Sequence, residues 1–184
     1  MKSLSPLLLA ALCVCLCAAP FTHAADSPFT LTVVPSRSQA PPPAGRFITM
    51  ADEKPDVFHV VLTNVSNEVQ PVFESWNSWG YQAIQFELTL PDGKQTVVSV
   101  SDQDFTRNFP SKFYIPPGEH QVFPIHLDKR WEMNPSVALG RETAITLKAI
   151  YEITESPESK EYHVWTGRVE SKPCKLTLWH QAKD

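Results

Sequence analysis

The sequence predicts an all-β chain, an antiparallel sandwich of about eight to ten short strands. Apolar side chains recur at every second position, as in Ile84, Phe86, Leu88 and Leu90 alternating with Gln85, Glu87 and Thr89. Turn-forming residues fall between such runs. Helical periodicity is nearly absent after residue 24; the longest candidate, Lys129 to Leu139, is interrupted by Pro135.

The elements follow in order. Residues 1–24 have the layout of a secretory signal: one charge at Lys2, an apolar run from Leu7 to Ala19, Pro20, then Thr22-His23-Ala24 with cleavage expected before Ala25. The run is shorter than the ~20 residues that span a bilayer. A retained anchor or a lipid-modified cysteine is the alternative. The residues before Cys13, Cys15 and Cys17 are Val or Leu, where lipid attachment wants a small side chain. The expected location is secreted or periplasmic, with no membrane anchor after cleavage.

Residues 25–55 hold a first strand, FTLTVV at 29–34, and a Pro-rich connection, SRSQAPPPAGR at 36–46. Proline lacks the ladder donor and stays out of sheet interiors. Residues 56–184 hold the main sandwich, and 25–184 is expected to form one domain. VFHVVLTNV at 57–65 puts Phe58, Val60 and Leu62 on one face and His59, Val61 and Thr63 on the other. QPVFES at 70–75 returns after the turn formers NVSNE. PDGK at 91–94 joins two further strands, and PPGEH joins SKFYI at 111–115 to HQVFPIHL at 120–127. TAITLKAIYEI at 143–153, YHVWTGRV at 162–169 and KLTLW at 175–179 close the chain.

Without residues 1–24 the chain keeps 15 basic and 20 acidic side chains, a net charge of −5. There is no basic stripe, so nucleic acid is not an expected partner. About 160 residues suffice for a core that buries roughly two thirds of the unfolded surface without staples. Three of the 4 cysteines lie in the signal, and Cys174 is left without a mate within the chain. It reads as a half-buried strand residue, since no base or electropositive pocket is visible to activate a thiol.

The order FHVVLTNVSNEVQPV, an aromatic corner, an alternating strand with PDGK, then IPPGEHQVFPI resembles the immunoglobulin-like sandwich modules of secreted bacterial proteins. It is also similar to the bacterial intracellular proteinase inhibitor family, and VWTGRVESKPCKLTL resembles the closing strands of such modules. The resemblance covers Asp56 to Leu178 and implies an immunoglobulin-like fold. It also implies an inhibitor as an alternative function, with PPGEH or the Pro-rich segment as the loop to present.

Two segments are candidate binding surfaces. SWNSWGY at 75–81 carries Trp76, Trp79 and Tyr81. It is either a platform for a sugar or a plug for the open end of the core, and the plug is the favoured reading. The plug requires one indole largely buried with its N–H bonded; the platform requires two coplanar exposed rings. Gly80 is assigned to the change of direction. RNFPSKFYIPPGEH at 107–120 combines Arg107, Lys112 and Tyr114 with Phe109 and Phe113, a mixture suited to an extended peptide or anionic glycan. The plainer alternative, which we adopt, packs Phe109 on the core beside SWNSWGY and leaves Lys112 outside.

No catalytic constellation is visible: no GxSxG, no phosphate loop, no HExxH or HxH. His120 and His126 are six residues apart on one strand, roughly 20 Å if extended; a cross-strand site from His59 and His163 is the remaining metal arrangement. Asp102, Asp104, Glu152, Glu155, Glu158 and Glu161 sit in or beside polar connections, where solvation explains them, so a carboxylate-pair hydrolase is only an alternative. Asn64-Val65-Ser66 fits an N-glycosylation acceptor but reads as a turn asparagine. The expectation is an exported, non-catalytic binding module without metal or cofactor, whose partner is a protein or a glycan.

Overall fold

The computed structural model describes residues 27–36, 45–53 and 55–181. The signal at 1–24 and most of the Pro-rich connection lie outside them. Among the described residues there are twelve strands and one short helix. In chain order they are β1 Phe29–Val34, β2 Phe47–Ala51, β3 Phe58–Asn64, β4 Gln70–Phe73, β5 Ile84–Thr89 and β6 Gln95–Val100. There follow β7 Lys112–Ile115, β8 His120–Ile125, β9 Trp131–Asn134, β10 Glu142–Ile153, α1 Pro157–Glu161, β11 Gly167–Glu170 and β12 Cys174–Gln181. The chain is all-β.

One sheet has the order β1-β3-β8, and β4 pairs with β7. The largest sheet runs β2-β12-β10-β5-β6-β9, with β11 beside the second half of β10. Among the described residues every strand pairing is antiparallel except that of β2 with β12, which is parallel and corrects the expected all-antiparallel arrangement. The core lies where rings of the two larger sheets meet: Phe58 of β3 is 5.4 Å from Phe86 of β5, and Phe123 of β8 is 5.8 Å from Tyr151 of β10.

Period-two side chains fall as their parity requires. Phe58, Val60 and Leu62 are fully buried while their alternates are half-buried. Ile145, Leu147, Ala149 and Tyr151 all lie in the core. PDGK closes its hairpin through Leu90 N–H to Lys94 O at 2.8 Å, with Gly93 at a φ of 82°. On burial alone, each fully covered Leu or Phe contributes about 1.5–3 kcal/mol.

Four expectations are corrected. β2 stands where only a connection was read, because FITMA is covered on both faces: Ile48 joins the core and Phe47 stacks on Trp179 at 5.2 Å. Such a run has no alternation to detect. β9 replaces the broken helix at 129–139, with Trp131 in and Glu132 out. The predicted strand at 162–169 is shortened to 167–170. The residues before it form α1, capped by Ser156, whose hydroxyl accepts from Ser159 N–H at 3.1 Å, with Pro157 opening the helix. The total of twelve strands exceeds the expected eight to ten because β2 and β9 were not read as strands.

Between β11 and β12 the ladder on β10 is kept by a side chain. Ala149 N–H donates to the Ser171 hydroxyl at 2.9 Å, and Ser171 N–H returns to Ala149 O at 2.8 Å. Two collinear strands thereby share one partner without leaving a buried amide unpaired.

Candidate functional site

The segment from 74 to 83, joining β4 to β5, is built around Asn77, which is fully buried. Its amide nitrogen donates to Ser111 O at 2.9 Å, and its amide oxygen accepts from Gly80 N–H at 3.1 Å. Its backbone carbonyl accepts from Tyr81 N–H at 2.9 Å. An asparagine supplies the donor and the acceptor that this corner needs from one side chain. Gly80 serves a different purpose from the one expected. Its φ is not among the positive ones, but a Cβ there would lie 2.3 Å from Glu74 O. Close approach of two backbone stretches, not a special dihedral, excludes any side chain.

The aromatic residues of the corner divide in three. Trp79 turns inward and is half-buried, 6.0 Å from Phe73. The backbone N–H of Glu158 in α1, then the Ser156 hydroxyl and the Trp79 indole, hold the Glu158 carboxyl below its ordinary range. Tyr81 is half-buried and meets Phe105 edge-on at 5.5 Å. Trp76 points out, 45% exposed, and meets Phe109, 58% exposed, at 4.8 Å with an interplanar angle of 67°.

That last contact joins the two segments that the sequence presents separately. Ser78 N–H donates to Asn108 Oδ1 at 3.1 Å, and Asn108 Nδ2 returns to the Ser78 hydroxyl at 2.7 Å. Ser111 O accepts from Glu74 N–H at 3.2 Å as well as from Asn77. Residues 74–83 and 101–111 are therefore one hydrogen-bonded corner. Phe109 stands on Trp76 and not on the core, contrary to the expectation for it. Arg107 is exposed two residues away.

Lys112 and Tyr114 belong to the neighbouring strand β7. The Lys112 ammonium donates to Tyr162 O after α1 and lies 5.4 Å from the centroid of the Tyr114 ring. Lys112 is thus half-buried and engaged, not outside as expected, while Tyr114 is 59% exposed. Of the six candidates, Trp76 and Arg107 face solvent at the corner, Tyr81 and Trp79 line its inner side, and Lys112 and Tyr114 flank it. Asn108 completes the site without having been singled out, and Phe109, named in the sequence as a ring for the core, stands at the surface instead.

Elsewhere many charged and polar groups are tied into structure. Glu152 pairs with Arg168 at 2.8 Å, Glu155 with Lys160, and Lys148 with Glu170 at 2.9 Å and Glu87 at 3.3 Å. Asp102 accepts from Gln82 at 2.6 Å. Among the described residues no group of three His, Cys, Asp or Glu converges. His59 sits opposite Pro124, and His163 is in the turn after α1. Cys174 is half-buried, with Arg46 Nη1 3.9 Å from its sulfur. Asn64 is fully buried; its amide nitrogen donates to Glu68 O and Ile115 O, and its oxygen accepts from Ser66 N–H and hydroxyl. A glycan on that nitrogen would break these bonds. PPGEH is a tight turn closed by Glu119 N–H to Pro116 O at 3.1 Å, with Gly118 at a φ of 76°. No helix among the described residues is long and apolar enough to cross a membrane.

No protein-family model matches the chain, and no characterised protein shows significant sequence similarity to it.

Proposed function

We propose that the chain is an exported, non-catalytic recognition module of immunoglobulin-like sandwich architecture, and that it takes a protein partner at the corner made by residues 74–83 and 101–111. The observation that carries this reading is the exposed Trp76–Phe109 pair on a hydrogen-bonded base. With about half of each ring in water, the two forgo roughly 1 kcal/mol of burial apiece, which a binding role repays. The base is already ordered, so little entropy is lost on docking. Trp and Arg are the side chains that most often dominate protein interfaces, and Arg107 stands beside the pair.

A protein suits this geometry better than a flat sugar. Rings at 67° make a knob, whereas stacking on two successive pyranoses needs coplanar faces. Trp79, which would complete such a platform, is turned toward Phe73 and Glu158. The signal-like pattern of residues 1–24 supports export.

The test is selection of random displayed peptides on the purified protein. Enriched peptides are expected to lose about 30-fold or more in affinity to Trp76→Ala and to Phe109→Ala, the loss typical of interface hot spots. Both side chains are exposed, so the variants should keep wild-type unfolding curves. Peptides that bind the double variant undiminished would refute the reading. A glycan panel that quenches Trp76 fluorescence would replace the protein partner by a sugar.

A further inference from the structure

The outer face of the largest sheet carries a cleft of about 550 Å³ between the aromatic corner and the connection from β10 to α1. Gln85 of β5 and Ser99 of β6 stand opposite each other in it. Their neighbours Ile84, Phe86 and Val98 are buried in the core, so parity turns Gln85 and Ser99 to the other face. Glu152 shares that face, two residues beyond Ile150, the partner of Gln85. Trp79 and Gln82 line the cleft from the corner, and Thr154 and Glu155 from the connection. Gln82, Thr154 and Glu155 are exposed, so the cleft is open to solvent.

The lining selects by charge. Among the described residues no Lys, Arg or His lines the cleft. An anion would meet two carboxylates and no opposite charge. Both carboxylates are already paired with cations that lie outside the lining, Glu152 with Arg168 at 2.8 Å and Glu155 with Lys160, so a cation gains little either. What remains is a set of hydroxyls and carboxamides. The Gln82 amide nitrogen is fixed on Asp102 at 2.6 Å and Val100 O at 3.2 Å, which leaves its oxygen as an acceptor. The side chains of Gln85, Ser99 and Thr154 have no hydrogen-bond partner among the described residues. Trp79, half-buried and packed at 6.0 Å on Phe73, supplies carbon surface.

We propose that this cleft binds a neutral saccharide, with Gln85, Ser99 and Thr154 bonded to its hydroxyls and Trp79 against a C–H face of the ring. A sugar hydroxyl both donates and accepts. Hydroxyls and carboxamides answer both needs, where an ammonium or a carboxylate answers one. The volume lies within the range of small-molecule sites, roughly 300–1,000 Å³. An indole beside polar groups matches a ligand that is apolar on one face and polar at its rim. The site goes beyond the proposed corner interface, since neither Trp76 nor Phe109 lines it. One ring in a polar cleft also needs no second coplanar ring beside it.

The probes are maltose, cellobiose, lactose, mannobiose and di-N-acetylchitobiose, with glucuronate and glucosamine as charged comparators. Each is titrated into the purified protein and followed by saturation-transfer NMR. Saturable one-to-one binding of at least one neutral disaccharide is expected, with transfer strongest on the C–H protons of one ring face. Both charged comparators should bind more weakly. Gln85→Leu, on an outward sheet position, should weaken the bound disaccharide about fivefold or more. Trp79→Phe, which keeps a ring on Phe73, should weaken it similarly. Trp76→Ala should change nothing, which separates this site from the corner interface. The proposal is overturned if none of the five disaccharides saturates, if glucosamine or glucuronate binds more tightly than all of them, or if Gln85→Leu and Trp79→Phe both keep wild-type affinity.

Discussion

Replacing Gly80 by alanine tests whether the corner is held by backbone contact. The added Cβ would stand 2.3 Å from Glu74 O, 2.9 Å from Glu74 C and 3.1 Å from Phe73 O. The first distance is about 0.7 Å inside the 3.0 Å below which such contacts essentially do not occur. All three neighbours are main chain at the end of β4, so no side chain can turn away. Relief requires moving 73–74 or 80, and either motion strains Asn77 N–H to Glu74 O and Gly80 N–H to Asn77. Overpacking costs about 1–3 kcal/mol and each weakened bond about 0.5–1.5 kcal/mol, so a loss of about 3 kcal/mol is expected. In a domain of this size that lowers Tm by roughly 6–12 °C. Urea unfolding should show a lower midpoint at unchanged slope. Gly140→Ala is the control: its nearest neighbour would be Thr143 Oγ1 at 3.6 Å, an ordinary contact, and stability should stay within about 0.5 kcal/mol. A Gly80→Ala variant as stable as that control would refute the close-approach argument.

Asn64→Ala should cost about 3 kcal/mol in urea unfolding, because it strands Glu68 O, Ile115 O and Ser66 N–H around a fully buried position. Tyr151→Phe should leave the stability of the protein unchanged or raise it by about 1 kcal/mol, since the hydroxyl lost has no protein partner. The same variant should flatten the alkaline limb. Burial raises the folded ionisation of Tyr151 above its ordinary 10.0, so its contribution is complete below that pH and lost as pH rises beyond it. At the acid end, hydrogen bonds from Lys148 and then Arg168 hold Glu170 below its ordinary 4.5. Its contribution is present above that value and lost as pH falls through the lowered one. Glu170→Gln should therefore shallow the acid limb of a stability–pH curve, by under about 1 kcal/mol for so exposed a network.

The elements visible in the sequence were those whose two faces meet different surroundings. β3, β5 and β10 each have a covered and a wetter face, and alternation reports that difference. β2 does not alternate, because its second face is covered too, Phe47 being stacked on Trp179. α1 was written in local chemistry, Ser156 and Pro157 at a helix start, but its single turn carries no periodicity. The corner was half legible. SWNSWGY announced large aromatics at a turn, but the ring that turns inward, Trp79, is half-buried and packs on Phe73, short of the largely buried indole that a plug requires. What the sequence could not convey was that Asn77 and Ser78 reach across 34 and 30 positions to Ser111 and Asn108, turning two loops into one surface. The orphan hydroxyl of Tyr151 was likewise hidden, because a core tyrosine with a partner and one without are the same letter.

The most direct measurement of the proposed recognition corner is photocrosslinking in the producing cell, with benzoylphenylalanine placed in turn at Trp76, Phe109, Val34 and Val122. All four positions are exposed and apolar, so exposure alone does not distinguish them. Adducts of one discrete size at 76 and 109, and none at 34 or 122, are the predicted result. Equal yields at Val34 or Val122, or no adduct at 76 and 109, would contradict the assignment of recognition to the aromatic corner.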